Sequence, residues 1–586
     1  MDIDKSGFAE YLTMAKDTDS FLFEEMTSGF RHKKGGHMLS QNISIFNDVL
    51  GPVITGPSSS HTGGAVRIGL LIRNLLPEFR KAEVYVEDFP GAYGPTLEGF
   101  KSADAFAAGL LGMDVDDARI RFGRKIAEER NLSVSFSPRT FPNAEYVGMA
   151  AIQLSSEDTV VEAVAASIGG GMVRLLEIDG VPVDIWGSTN EALILSYGTD
   201  LTELEEAALN IIEKETKVIR KMICKGDGQK LQNAEVKEEK SNVRQILEIC
   251  TEDPLSSEGR KALEDLARNK GRVCYLDAIL TVSERAEQQP LPFATVPELN
   301  DYLERTGCGM MEAAVRYEMA VSGWSREKVL HYAESMAREM RRSAEEGLAG
   351  NFELCGFAKT HAKILCEMTE TRKKLLPLGI ADKALYYAMA VMELNGGMGS
   401  IVTCPTAGSS GVVPGMLLAM QDEMELTMEE AAEGLMVAGL IGLFVAILAN
   451  FDGSDGGCQA EMSSACAMGA AMACYLNGGS DIQIQRAAVM CFEGLMGLVC
   501  DPIAVYVEVP CIMRNPMGAS VAFTMANLAS SGYDPIVPLD EIIIAMRDTG
   551  AGMPPDLRCQ RGGTCLTPTA KRIAAEMEEK NKFHFE

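Results

Sequence analysis

The spacing of apolar residues changes period near the middle of the chain, and that change limits the folds open to it. Between residues 81 and 197 apolar positions alternate in short runs: Lys81–Asp88, Val134–Phe136, Ala150–Leu154, Val160–Ala166, Gly180–Trp186 and Ala192–Tyr197. Side chains alternate across a pleated strand, so these runs predict short strands. Helical spacing is interleaved at Gly64–Leu76, Leu97–Gly109 and Leu201–Lys214. Beyond residue 290 strand signals almost vanish. Pro297–Leu303, Met310–Val321, Ser325–Glu346, Asp382–Leu394, Met428–Asn450, Ala460–Leu476 and Ile482–Leu498 read as helices. The expected class is a multidomain α+β protein, with a mixed α/β N-terminal domain joined to a mostly α-helical one.

Composition and linkers divide the chain further. Residues 1–40 read as a polar N-terminal extension and 41–190 as the α/β domain. Residues 191–245 read as a degenerate small βαββ-like unit with a linker, because Ala192–Lys230 looks too short to be complete and 225–245 carries no apolar pattern. Residues 246–290 are expected to form a connecting helical segment, and 291–586 an all-α domain. Gly434–Ala449 contains no charge, but a spanning helix needs about 20 such residues. It is expected to be a buried central helix.

The 586 residues hold 54 Lys+Arg against 83 Asp+Glu, a net charge of −29. Such a chain repels phosphate backbones, so no nucleic-acid partner is expected. No basic amphipathic segment favours an anionic membrane surface. The acidic start MDIDKSGFAEYL lacks the apolar core of a signal peptide, so a cytoplasmic location is expected, with the fifteen cysteines as reduced thiols. There is no G-x-x-x-x-G-K-[ST], no G-x-G-x-x-G after a strand, no H-E-x-x-H and no C-x-x-C. Nucleotide hydrolysis, dinucleotide redox work and zinc-ribbon folds are therefore disfavoured.

Three places retain chemistry. Residues 56–64, GPSSSHTGG, open onto a helix that Ser60 or Thr62 can cap. Free N–H groups there suit a carboxylate, with His61 beside it, or the loop is simply a cap. Residues 405–411, PTAGSSG, offer the same logic before a helix at Val412–Met420, or form a plain turn. Cys458, Cys500 and Cys511 each lie at an element boundary marked by Gly or Pro, where thiolates can point toward a shared centre. Three thiolates without a fourth would leave one iron of a [4Fe–4S] cluster open to substrate; three scattered core cysteines are the alternative. Cys466, Cys474 and Cys491 fall inside helical runs and read as packing residues.

The same three places resemble a known family. GPSSSHTGGAVRIG at 56–69 is similar to the SSHT signature of the β part of iron–sulfur-dependent L-serine dehydratases. IVTCPTAGSSGVVPG, GGCQAEMSSACAMGAAMA, GLVCDPIAVYVEVPCIMRNPMGA and LTPTAKRI look like the α, catalytic part, in the order of a fused β–α chain. The resemblance implies that Cys458, Cys500 and Cys511 hold a [4Fe–4S] cluster. It also implies that Ser59, Ser60, His61 and Thr62 form the catalytic loop. Thr406 and Ser409, with Ser410 beside them, would hold the substrate carboxylate, and Arg514 and Asn515 would supply polar contacts near the open iron. The implied reaction is dehydration and deamination of L-serine to pyruvate and ammonia by a homodimer. His61 is the expected base, on the ground that imidazole titrates near working pH. SIGGGMVRLLEIDG at 167–180 resembles a Gly-rich element of the β domain that serves the fold. The segment LCGFAKTH at 354–361, the stretch NGGMG at 395–399 and the pair Met462-Ser463 depart from the family pattern, which leaves the substrate open: a related β-elimination, for example of cysteine, uses the same motifs. A relative that has lost catalysis and a structural zinc protein are the readings from other classes.

Overall fold

The computed structural model describes residues 43–580 apart from 88–91, 143, 145, 197, 199, 227–244 and 559–560. The expected N-terminal extension, most of the expected linker and the last six residues lie outside the described residues.

After β1 (Val53–Thr55), the first domain is built on a mixed six-stranded sheet. Its strands are β2 (Lys81–Val86), β3 (Ser133–Pro138), β4 (Gly148–Ser155), β5 (Val160–Gly169), β6 (Met172–Ile178) and β7 (Val181–Ile185), in the spatial order β3-β2-β4-β5-β6-β7. Only β2 and β3 run parallel. The buried-in, exposed-out alternation of β2 is the period read from sequence. The helices Gly64–Arg73 and Ser102–Leu110 pack on one face with Ile68, Ile72 and Phe106 in the core. The helix expected over Leu97–Gly109 is interrupted instead, with Lys101 at φ 58°. At Gly99 a Cβ would lie 2.4 Å from the Val505 carbonyl oxygen, so the chain turns there to let the 504–505 segment approach. β6 escaped the alternation test because a register irregularity between Leu175 and Glu177 breaks its period.

The next unit corrects two expectations. β8 (Asn190–Ser196), the helix Thr202–Ile212, β9 (Val218–Lys225), β10 (Gln245–Thr251), the helix Ser257–Ala267 and β11 (Gly271–Leu276) make a complete βαββαβ unit with strand order β11-β8-β10-β9. It is not degenerate, and 246–290 is not a helical connector. The closing half comes after the unpatterned stretch, so a reading that stopped at residue 230 saw half of the unit. Both helices cover one face of this sheet, around Ile194, Leu204, Leu247 and Leu263. Leu193, Leu195 and Ile246, on the opposite face, join the core of the first domain.

Helices dominate from Val296 onward, as expected, with β12 (Ser400–Val402) the only further strand among the described residues. Met428–Leu448, a helix long and apolar enough to cross a membrane, lies mostly buried at the centre of this domain. Its glycines admit a segment from the other end of the chain. A Cβ on Gly439 would lie 2.4 Å from Ile45, and one on Gly442 would lie 2.2 Å from Val49. Residues 45–50 therefore belong to the helical core rather than to the α/β domain. β1 crosses as well, pairing antiparallel with β12 from Val53↔Val402 to Thr55↔Ser400.

Glu318, fully buried in the helix Met310–Ser322, ties down this entering segment. Its carboxyl oxygens lie 2.8 Å from Ser44 Oγ and 2.8 Å from the Ile45 N–H. Burial raises its pKa from 4.5 to about 8. A raised carboxyl favours the folded state fully below pH 4.5, and that contribution drains away as pH climbs toward 8. The melting temperature of the wild-type chain should accordingly fall across this window. E318Q can donate to Ser44 Oγ and accept from Ile45, and should flatten the trend; an unchanged slope in E318Q would show that Glu318 is not its source.

Candidate active site

The first loop leaves β1 at Thr55 and turns through Pro57. Ser58, not Ser60 or Thr62, is the cap: its Oγ accepts from the His61 N–H at 3.1 Å. Thr62 is unavailable because its hydroxyl donates to the Phe100 carbonyl at 2.7 Å. A wide turn, Ser59–Gly63, then leads into the helix Gly64–Arg73. His61 is 6% exposed and packs edge-on against Phe100 and Tyr93, at 4.9 and 5.9 Å between ring centres. Nδ1 lies 3.1 Å from Ser58 Oγ, while Nε2 has no partner. The expectation of a pKa near working pH is not met, because burial lowers it to about 4 and holds the imidazole neutral.

The second loop follows β12. Ser410 closes it, donating from Oγ to the Thr406 carbonyl at 2.6 Å and accepting from the Cys404 N–H at 3.2 Å. Ser409 Oγ stands 3.1 Å from Thr406 Oγ1, which donates to Glu461 Oε1 at 2.7 Å. Thr406, Ser409 and Ser410 are all buried. The loop residue that lines the cleft is Gly408. The two loops are stitched together by the Ala407 N–H, 3.3 Å from Ser59 Oγ, and by Asn395, whose Nδ2 donates to the Pro57 and Ala407 carbonyls. Behind the first loop, the β5–β6 turn Gly169–Gly171 takes positive φ at all three glycines. A Cβ on Gly171 would stand 3.3 Å from the Ser59 carbonyl oxygen, so this turn approaches the first loop closely.

Cys458 and Cys511 each begin a long helix, Cys458–Leu476 and Cys511–Ser530, and Cys500 lies in the loop that follows the intervening helix Asp481–Leu495. A helix N-terminus favours a thiolate. Burial keeps the pKa values of all three thiols high, and the charge of Cys458 raises those of Cys500 and Cys511 further. Cys500 and Cys511 line one cleft with Ser60, His61 and Glu461. The buried Cys458 and Cys500, the partly buried Cys511, the carboxyls of Glu461 and Asp452, and Arg514 as the nearby cation form a donor set short of positive charge. That set fits an iron–sulfur group. Cys466, Cys474 and Cys491 sit in the helical core as expected, and the fourteen described cysteines are free thiols.

Arg514 hydrogen-bonds the Cys458 thiol and also braces its own surroundings, while Asn515 is fully buried among backbone groups. Arg514 Nη2 donates to Asp501 Oδ1 at 2.8 Å and Nη1 to the Val499 carbonyl at 3.0 Å, bracing the Cys500 segment. Asn515 accepts from the Gly411 N–H and donates to the carbonyls of Gly408 and Cys511, so it locks the second loop to the third cysteine.

Two functional positions were missed from sequence. Glu461 lines the cleft, and burial raises its carboxyl to about 7. Its place one turn after Cys458 on the same helix face was the available signal. Glu508 accepts N–H bonds from Gly356, Phe357 and Ala358, within 2.6–2.8 Å. It thereby holds the departing segment LCGFAKTH, and nothing in the local sequence marks a pairing over this distance.

Residues 213–564 match the family model described as serine dehydratase alpha chain. The chain is 36% identical to the probable L-serine dehydratase, alpha chain, of Bacillus subtilis (strain 168) over 282 residues, covering 48% of this chain and 94% of that one. It is 34% identical to the L-serine dehydratase, alpha chain, of Peptoniphilus asaccharolyticus over 285 residues, 48% and 96% of the two chains. Against L-serine dehydratase 2 of Escherichia coli (strain K12) it is 32% identical over 285 residues, 47% and 62% of the two chains.

Hydrogen bonds to a charged acceptor contribute about 1.5–3 kcal/mol each. E508A should therefore speed amide exchange at Gly356–Ala358 on the order of 100-fold while amides of Met428–Leu448 keep their rates. Hydrogen exchange read by mass spectrometry decides it, and unchanged exchange at 356–358 would refute the role.

Proposed function

This chain belongs to the serine dehydratase alpha chain family, and from that premise we propose how its residues dehydrate and deaminate L-serine to pyruvate and ammonia. The observation that carries the reading is the convergence on one cleft of His61, whose Nε2 has no partner, with Cys500, Cys511 and Glu461. Cys458, Cys500 and Cys511 would hold a [4Fe–4S] cluster, which when bound supplies a Lewis acid for the substrate hydroxyl.

With its hydrogen on Nδ1, donated to Ser58 Oγ, His61 offers the Nε2 lone pair to the α-proton of serine. The neutral state imposed by burial keeps that lone pair available at neutral pH, and proximity compensates for a weak base. Glu461, able to carry a proton near neutrality, hands it to the departing hydroxyl, which leaves as water. The resulting 2-aminoacrylate tautomerises to the imine and hydrolyses to pyruvate and ammonia. Ser60 and the Gly408 backbone face the substrate. Ser59 and Thr62 hold the first loop, and Thr406 with Ser409 orients Glu461, so these hydroxyls act from behind the cleft. Phe100 and Val507 line it with apolar surface and limit water. The free thiols support a reducing, cytoplasmic setting.

Protein purified without oxygen should contain iron and sulfide and form pyruvate from serine. C458S, C500S and C511S should each lose iron and turnover together. H61A should keep its iron and lose about 10²–10⁴ in kcat. Pyruvate from cysteine but not from serine would overturn the substrate assignment, and iron-free wild-type protein with full activity would overturn the cluster.

A further inference from the structure

A second group of ligating side chains lies far along the chain from the cleft residues, in the βαββαβ unit. Glu191 on β8 stands directly opposite Cys250 on β10, and Cys250 stands opposite Arg220 on β9. Glu248 lies two residues before Cys250, on the same face of β10. This is the face turned away from the two covering helices, toward the first domain. Glu191, Glu248 and Cys250 are 3%, 0% and 1% exposed.

The way each carboxylate is held is informative. Thr189 Oγ1 donates to Glu191 Oε1, and Arg220 Nη2 donates to Glu248 Oε1 at 2.9 Å. The second oxygen of each, Oε2, is buried without a partner. An unpartnered buried carboxylate oxygen is costly, and two of them side by side next to a thiol are more so. One oxygen braced by a donor and the other left open is how metal-ligating carboxylates are held. One ligand atom from each of the three residues lies within 4.8 Å of the others, close enough for a single ion to touch all three.

We propose that Glu191, Glu248 and Cys250 bind one divalent transition-metal ion of the zinc class. Charge supports the valence: two carboxylates and a thiolate beside Arg220 leave two negative charges, which a divalent ion cancels. The thiolate excludes magnesium and calcium, which prefer oxygen ligands alone. On binding, the ion displaces the Cys250 proton to water and forms a sulfur–metal bond with no change of oxidation state. It clamps β8 to β10 at the junction with the first domain.

The test uses the full-length chain, purified without oxygen from zinc-supplemented cells and desalted. About one zinc per chain is expected in addition to iron, and zinc-edge X-ray absorption should show one sulfur at about 2.3 Å with oxygens at about 2.0–2.2 Å. C250S and E248Q should lower zinc about tenfold and leave iron content unchanged. Zinc below about a tenth of an equivalent in the wild type overturns the proposal. So does zinc bound by three sulfurs, or zinc unaffected by C250S. If the variants do not fold, the wild-type absorption spectrum decides alone. The cluster assignment can fail without touching this result, because iron and zinc are read separately.

Discussion

Asn395 holds together the two loops on which the cleft depends. Its Nδ2 donates to the Pro57 carbonyl on one side and to the Ala407 carbonyl on the other, across 338 and 12 residues of sequence. Contact this close requires Gly56, where a Cβ would fall 2.2 Å from the Asn395 Oδ1. The β1–β12 pair fixes the approach of the two segments, and Asn395 sets their final distance. His61 then meets the thiols of Cys500 and Cys511 at one cleft because the backbone of two domains has been joined at this point.

Polar groups buried around that joint are matched mostly by backbone groups of distant chain segments. Asn515 binds three backbone groups, Glu508 binds three, and Arg514 divides itself between Asp501 and a carbonyl. A buried polar side chain that loses its partner costs about 1–3 kcal/mol, so each of these residues enforces the position of the loop it binds. The overall charge of −29 does not steer a zwitterionic amino acid, which carries no net charge near neutrality. Its carboxylate must be held by local features, among them the helix N-termini at Cys458 and Cys511.

Much of the fold was visible in the spacing of residues. Strands with unbroken alternation, such as β2, and the long helices of the second half stand where their periods place them. The departures have local causes: a bulge in β6, a close approach at Gly99, and in the βαββαβ unit a closing half that follows an unpatterned stretch. The residues of the cleft were legible for a different reason. Gly, Pro, Ser and Cys crowd where backbone must turn tightly and side chains must point out of it. Glu461 was legible only once Cys458 was known to start a helix, and Glu508 not at all, because its partners lie 150 residues away.

Sequence alone therefore determined the two-part architecture, the family, and the residue types available for chemistry, since period, turn chemistry and cysteine placement are local properties. Tertiary structure decided which of those residues act and how. It buried Asn515 as a brace between the second loop and Cys511, moved the helix cap to Ser58, drew residues 45–50 into the helical core and held His61 neutral. Those outcomes follow from burial and from hydrogen bonds between distant segments, and neither exists until the chain has folded.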